Sequence, residues 1–437
     1  VAYVLSNAWA LLLGMLLLMI GNGLQGTLLA VRGGLEGFNE TTMSVIMTGY
    51  FLGFLVGSRL APQIIARVGH VRAFAALASL ISAAFIIYPA IPDPIAWTFL
   101  RVAVGVCISG VYVVAESWLN DISTNETRGQ ALSAYLIVQM VGIIAAQAFV
   151  NIADPSGYTL FVVMSVLVSI SFAPILLSVS AAPVFETTKR MTLLELYKVS
   201  PLGCVGSFFL GGIFAAQFGM GAVYATAKGL SLADLSVFVS AIYIGGLLMQ
   251  YPLGYISDKM DRRVLIIAIT GAGGLILLAG TFFTEQFYVL LIVAFVMGGV
   301  ANPLYSLLIA YTNDYLKPED MPAASSGLIF LTGVGSVAGP VLVGYLMTSY
   351  GADSFFVFIA LLFLSIAGYG LFRMTQRAAP GWEDTGQYAA VAPQGSPVFV
   401  EVAQEYAIDM ADEDVVDDET VNDTVTGDGA EVTTKPQ

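Results

Sequence analysis

Twelve times along this chain, a run of about 20 residues passes with almost no charged side chain. A helix rises about 1.5 Å per residue, so each run can cross the roughly 30 Å hydrocarbon core of a bilayer. No water is available there, and a run of this length satisfies its backbone N–H and C=O groups by coiling into a helix. The runs lie at about 8–32, 42–66, 71–91, 95–119, 128–152, 157–179, 202–227, 232–256, 262–283, 286–313, 322–349 and 352–374. Only 11% of the 437 residues are charged, less than half the roughly 25% of an average soluble domain. The expected fold class is therefore an all-α membrane protein. The first run is too long for a signal-peptide core and has no basic stretch before it, so it is expected to remain as a helix.

The net charge of −14 does not describe this apolar body. Residues 376–437 hold fourteen Asp and Glu against Arg377 and Lys435, a net of −12. Pro, Gly, Thr and the acid runs at 411–414 and 417–419 make this acidic tail expected to be solvated and disordered. The alternative is a docking or regulatory segment around Val398 to Ile408, where Val, Phe, Tyr and Ile cluster.

Basic residues in the short connections set the orientation. With both termini in the cytoplasm, thirteen Lys and Arg fall on that side, among them Arg59, Arg67, Arg72, Arg128, Lys198, Lys317 and Arg373. Two, Arg32 and Lys228, fall on the other. The sequence also repeats at an offset of 193: Tyr50 and Gly53 match Tyr243 and Gly246, Tyr112, Asn120 and Asp121 match Tyr305, Asn313 and Asp314, and Gly142 matches Gly335. Two pseudo-symmetric six-helix bundles are expected, residues 1–179 and 202–375, joined by a polar cytoplasmic linker at 180–201 and followed by the tail at 376–437. Repeated halves around a central site are a transporter architecture.

The loop between the eighth and ninth runs reads Gly254-Tyr-Ile-Ser-Asp258-Lys259-Met-Asp261-Arg262-Arg263. It resembles the G-x-x-x-D-[RK]-x-G-[RK]-[RK] signature of the major facilitator superfamily, with Asp261 where Gly is usual. The equivalent stretch in the first half, Pro62 to Arg72, has Ala66 in place of the acid and Pro62 in place of the first Gly. Arg101-Val-Ala-Val-Gly105 resembles the superfamily's R-x-x-x-G motif. The run Glu116-Ser-Trp-Leu-Asn120, with Arg67-Val-Gly69-His70 upstream, resembles the YcaD-like branch of bacterial facilitators. Gly335-Ser-Val-Ala-Gly339-Pro340 partly matches an exchanger motif, but on the eleventh run rather than the fifth. The resemblance covers about 1–375 and implies the major facilitator fold and a cytoplasmic gate built from Arg67, Arg72, Glu116, Arg128, Asp258, Lys259, Arg262 and Arg263.

Polar groups inside a bilayer are expensive and face a cavity or a partner. On the fourth run Arg101, Ser109, Tyr112 and Glu116 form one stripe at 100° per residue. Ala66 leaves the gate short of an acid, so Glu116 is expected to pair with Arg67, Arg72 or Arg128; a proton-coupling role is the alternative. Arg101 lies deeper, about 22 Å from Glu116 along the helix. It is either a strut held by amides such as Asn22, Gln25 and Gln139, or a contact for an anionic group. With Tyr112, Gln217, Tyr243, Asn302 and Tyr305, these residues form the expected substrate site.

No phosphate-binding G-x-x-x-x-G-K-[ST] loop is present, which excludes an ATP-driven pump in one chain. Cys107 and Cys204 stand singly in apolar runs, and no catalytic set or metal cluster is readable. No enzyme activity, cofactor or nucleic-acid partner is expected. The expected function is secondary transport by alternating access of a small solute, anionic, zwitterionic or neutral rather than a cationic drug. The alternatives are a proton-coupled drug or metabolite exporter and a non-transporting sensor or assembly factor whose tail recruits a partner. The expected partners are the solute, a coupling proton or ion and the lipid of a bacterial inner membrane, with the chain a monomer. Reporter fusions after Gln376 and within 180–201 should both signal from the cytoplasm; an external signal from either would refute the twelve-span topology.

Overall fold

The computed structural model describes residues 2–177, 191–376, 388–391 and 395–406. Twelve of its helices are long and apolar enough to cross a membrane. They are α1 (Ala2–Leu35), α2 (Glu40–Val68), α3 (His70–Ala90), α4 (Pro94–Asp121), α5 (Asn125–Phe149), α6 (Thr159–Leu176), α7 (Pro201–Ala227), α8 (Leu232–Ser257), α9 (Arg262–Gly280), α10 (Phe287–Asn313), α11 (Met321–Tyr350) and α12 (Ser354–Met374). Side chains cap the exposed helix starts: Asn39 accepts from the Thr42 amide, Asp93 from Ala96 and Ser231 from Asp234. Gly69, at φ 83°, turns the chain between α2 and α3 in the left-handed region that side chains avoid.

Lipid offers helices no hydrophobic drive to associate, so close packing must come from small residues. Gly53 and Gly105 bring α2 against α4; a Cβ on Gly53 would collide with the Val102 carbonyl, and one on Gly105 with that of Tyr50. The second half repeats the crossing with Gly245 and Gly298, which meet the carbonyls of Phe295 and Ile242 across α8 and α10. Gly142 seats α5 on α1 against Met19, and its repeat mate Gly335 seats α11 on α7 against the Phe208 carbonyl. Gly339, in the exchanger-like motif, packs on Gly212 of α7. These glycines are contact surfaces.

The two sets of helices touch directly at the end that holds the α1–α2, α7–α8 and α11–α12 turns. There the Thr41 and Thr348 hydroxyls bond at 2.9 Å, joining α2 to α11. Asn151, just past α5, donates to Ser236 of α8 at 2.9 Å. Gly344 of α11 faces Ser44, and Gly34 of α1 faces Thr226 of α7. The opposite end holds the α2–α3, α4–α5, α8–α9 and α10–α11 turns with most of the basic residues, and is called the basic end below.

Of the linker, 180–190 lies outside the described residues, and Leu193–Val199 is a short helix begun by a Thr192–Glu195 capping box. Part of the tail takes the alternative expected for it, a docked segment. Residues 388–391 have no regular secondary structure and 397–406 are helical. They are packed into the basic end, with Val391, Phe399, Val400, Val402 and Ala403 all buried. Composition suggests disorder because acids dominate the tail as a whole; within this segment the apolar residues gather on one face and find a partner. The acid runs at 411–414 and 417–419 lie outside the described residues.

Gly53→Val and Gly298→Val should each cost at least about 3 kcal/mol, because the collision is with backbone that cannot yield. Gly368, on the exposed face of α12 with open space around it, should accept Ala without loss. Thermal unfolding of the purified variants in detergent checks both; equal stability across the three would remove the glycine crossings as the packing determinant.

Candidate functional site

About halfway along α1, α7 and α8, a cavity of about 50 Å³ opens between the first six and last six helices. Asn22, Gly26, Tyr50, Arg101, Gln217 and Tyr243 are in its wall. A small-molecule site usually holds about 300 Å³ or more, so this state leaves room for little beyond water, and a solute would have to widen it.

Arg101 is buried, and its neighbours show how α4 tolerates a guanidinium at that depth. Nη1 donates to Gln25 Oε1 at 3.0 Å, Nη2 lies 3.1 Å from the Met47 sulfur, and the carbon of the guanidinium sits 4.8 Å from the centre of the Tyr50 ring. Gln25 in turn donates to the Tyr88 hydroxyl at 3.0 Å. Nε has no partner, and among the described residues no carboxylate forms an ion pair with Arg101. The positive charge is thus solvated by an amide, a sulfur and a ring face, with one donor left over beside the cavity.

Gln217 lines the same cavity from the other set of helices. It is buried with neither amide atom bonded. The chain around it, Ala216–Met220, is a π-helical turn set between two α-helical parts of α7. Such turns accompany functional sites often. Periodicity could not show this one; the small residues around it, Ala215, Ala216, Gly219 and Gly221, are the nearest signal. Phe218 of the same turn stacks on Tyr243, with ring centres 4.9 Å apart.

Four expected site residues lie elsewhere. Tyr112 bonds the Met19 sulfur at 3.2 Å, Gln139 is buried on α5, Asn302 packs against Gly246 and donates to the Gly298 carbonyl at 3.3 Å, and Tyr305 is buried on α10. None of them is in the cavity wall. The offset repeat singled out Tyr112 and Tyr305, and both are buried outside that wall. Asn22 is in the wall, 3.5 Å from the Tyr50 hydroxyl, while Gln25 stands behind Arg101.

At the basic end the signature loop forms one network. Arg262 binds Asp258 at 3.2 Å and also pairs with Asp314, the repeat mate of Asp121 that was not expected in the gate. Its Nε donates to Ser257 at 3.1 Å. Asp261 replaces the usual Gly because it caps α9, accepting from the Arg263 amide at 2.8 Å. Lys259 lies over the Tyr255 ring. Burial pushes the Asp258 carboxyl above its ordinary range, against the opposing pull of the Tyr388 amide and Arg262.

The expected ion pair of Glu116 is not formed. Its carboxylate accepts from the Tyr135 hydroxyl at 3.2 Å and from the Ser396 amide at 2.8 Å. Arg67 and Arg72 are exposed and make no ion pair among the described residues. Arg128 instead binds Glu405 at 3.1 Å. The tail takes up both groups: the Ser396 amide occupies the Glu116 carboxylate and Glu405 occupies Arg128. Gly254 likewise faces the ring of Tyr388 rather than a neighbouring helix.

Twelve helices in two similarly packed sets, meeting at a buried polar cavity, define a membrane carrier of the secondary-transporter class. The sequence comparison agrees: the Major Facilitator Superfamily model matches residues 11–232 and 202–394. The chain belongs to that superfamily. It is 24% identical over 356 residues to an uncharacterised MFS-type transporter, YcaD, of Escherichia fergusonii, covering 80% of this chain and 91% of that one. Among solved structures, a variant of the nucleoside transporter NupG superimposes with a TM-score of 0.72 at 12% identity, covering 83% of this chain and 98% of that one. A bacterial homologue of the human lysosomal transporter Spinster, inward-facing and unoccupied, gives 0.63 at 13%, with 93% and 98% covered. Membership makes the chain a transporter rather than an enzyme.

Gln217 carries two unpaired buried polar atoms, so Gln217→Met should raise the thermal stability of the ligand-free protein, by about 1 kcal/mol. The same change should remove stabilisation by any solute that binds the cavity. Loss of stability on substitution would mean that the amide is paired in the folded protein.

Proposed function

We propose that the chain moves a small anionic, zwitterionic or neutral solute by alternating access, with halves 1–179 and 202–375 rocking about the cavity at Arg101 and Gln217. One observation carries the reading: a buried guanidinium with a spare donor lines that cavity and has no acid beside it among the described residues. A cationic drug would meet positive charge there, whereas a carboxylate or phosphate would meet that charge and the spare Nε donor. Gln217, Asn22 and Tyr243 supply the neutral donors and acceptors that would orient the rest of the solute.

The basic end is proposed as the cytoplasmic face of a bacterial inner membrane, on the thirteen-to-two excess of Lys and Arg. The direct contacts at the far end and the open cleft at the basic end then fit a state facing the cytoplasm. A proton-coupled variant of this reading is favoured by Glu116, a buried carboxylate without a cationic partner. Asp258, Lys259, Arg262 and Arg263 are proposed to hold the gate and Arg128 to hold the tail. The protein is proposed to act as a monomer.

Arg101→Lys keeps the charge and loses the bidentate fork, so transport should fall at least about tenfold. Arg101→Ala should abolish it. Thermal shift against a panel of organic anions, zwitterions, nucleosides, sugars and cationic drugs identifies the class. A ligand at 100 times its Kd should stabilise the parent by about 2.7 kcal/mol and the variants by far less. Binding confined to cationic drugs would sink the proposed substrate class. Variants that fail to fold, with unchanged ligand response in what survives, would make Arg101 a strut.

A further inference from the structure

The cleft at the basic end is lined by α4 and α5 on one side and by α8, α10 and α11 on the other. Residues 388–391 and 395–406 lie in it and bond to both sides. The Val391 N–H donates to the Ser306 hydroxyl at 2.8 Å, and that hydroxyl donates back to the Val391 carbonyl at 3.2 Å. Tyr388 gives its amide to Asp258 at 2.8 Å and accepts from Gln250 at 2.9 Å. Gln404 donates to Asn313 at 3.1 Å and to Ser325 at 2.6 Å. Those five partners belong to the second set of helices or its loops.

The first set is reached by other atoms of the same segment. Ser396 begins the helix 397–406, since its carbonyl accepts from the Val400 amide. Its own N–H donates to Glu116, so the positive end of the helix dipole meets a buried carboxylate. Phe399 lies 5.7 Å from the Tyr135 ring, Glu405 pairs with Arg128, and Tyr406 covers Gly129. Within the described part of the tail Glu405 meets a basic residue of the body, Arg128, and the helix residues Phe399, Val400, Val402 and Ala403 are buried between the walls.

We propose that the tail segments 388–391 and 395–406 are an intramolecular peptide ligand that plugs this cleft and holds the basic end open. A helix is about 10 Å across, and it stands where the α4–α5 and α10–α11 ends would have to meet. Closure therefore requires the segment to leave. Its departure also uncovers Glu116, Ser306 and Asp258, whose bonds it now fills. The consequence for transport rests on the alternating-access reading; the docking does not.

The test uses the full chain in lipid nanodiscs, with Cys107 and Cys204 replaced by Ala and spin labels at Ser123→Cys and Lys317→Cys, one on each side of the cleft. Phe399→Asp with Val400→Asp puts two charges into the buried face of the plug. Amides of 400–406 should exchange with deuterium on the order of 100-fold faster in the double variant than in the parent. The label distances should gain a population shorter by about 10 Å, one helix diameter. A synthetic peptide of residues 388–406 added to the variant should restore the long distance. Fast exchange of 400–406 in the parent overturns the plug, and so do distances that the double substitution leaves unchanged. Failure of the transport reading is distinguishable: no solute would then shift the distances in either protein, whatever the tail does.

Discussion

Hydrocarbon leaves a backbone no partner but itself, and it gives helices no hydrophobic reason to touch. The fold therefore depends on where helices approach closely enough for dispersion to hold them. Gly53 with Gly105, and Gly245 with Gly298, provide those approaches once in each half. Both crossings bring α-carbons against carbonyl oxygens, which fixes α4 on α2 and α10 on α8. Arg101 rides on the first of these. Its position over Tyr50, and against Met47, is set by the α2–α4 crossing, where Gly49 of α2 lies against the Cβ of Arg101 and Gly105 follows one turn later on α4.

That placement makes a charge affordable without an opposite charge. A guanidinium is weakly hydrated for an ion and accepts an amide, a sulfur and a ring face as substitutes. Each is a poorer partner than a carboxylate, and Nε is left without one. Gln217 is under-bonded in the same way on a π-helical turn that breaks the regular ladder of α7. The cavity between them combines loosely satisfied polar groups with bulky aromatic walls, a combination in which ligand atoms can gain bonds that the empty protein lacks.

At the basic end the superfamily signature is assembled as its residues suggest in one half and altered in the other. Arg262 gathers Asp258 and Asp314, and Asp261 substitutes a helix cap for a glycine turn. The first half has lost its acid at Ala66, and the buried carboxylate of Glu116 is engaged by Tyr135 and by Ser396 of the tail. The missing symmetry of the motif and the presence of a docked segment thus meet at the same place.

Helix number, span boundaries, the repeat and the family were legible because each is a local or periodic property of the chain. A bilayer imposes a fixed thickness, so 20-residue apolar runs announce themselves, and the offset of 193 pairs Gly142 with Gly335 at equivalent crossings. The need of Arg101 for amide partners was legible too, since no acid lies at its depth, and Gln25 was among the residues named. Which of the polar residues share a cavity was not, because that depends on what packs over each helix face: Tyr112 lies on the same face of α4 as Arg101, yet it bonds Met19 and is not in the wall. That the tail docks at 388–391 and 397–406 was legible only as the alternative reading, for a related reason. Its many acids dominate a composition average, while the few apolar residues that bury, Val391, Phe399, Val400, Val402 and Ala403, gain their stability from a cleft built by five distant helices. The sequence by itself determined that this chain must lie in a membrane as two repeated sets of helices. Only the tertiary structure decided where its buried charges find partners, since that depends on contacts between residues hundreds of positions apart, such as Glu116 with Ser396.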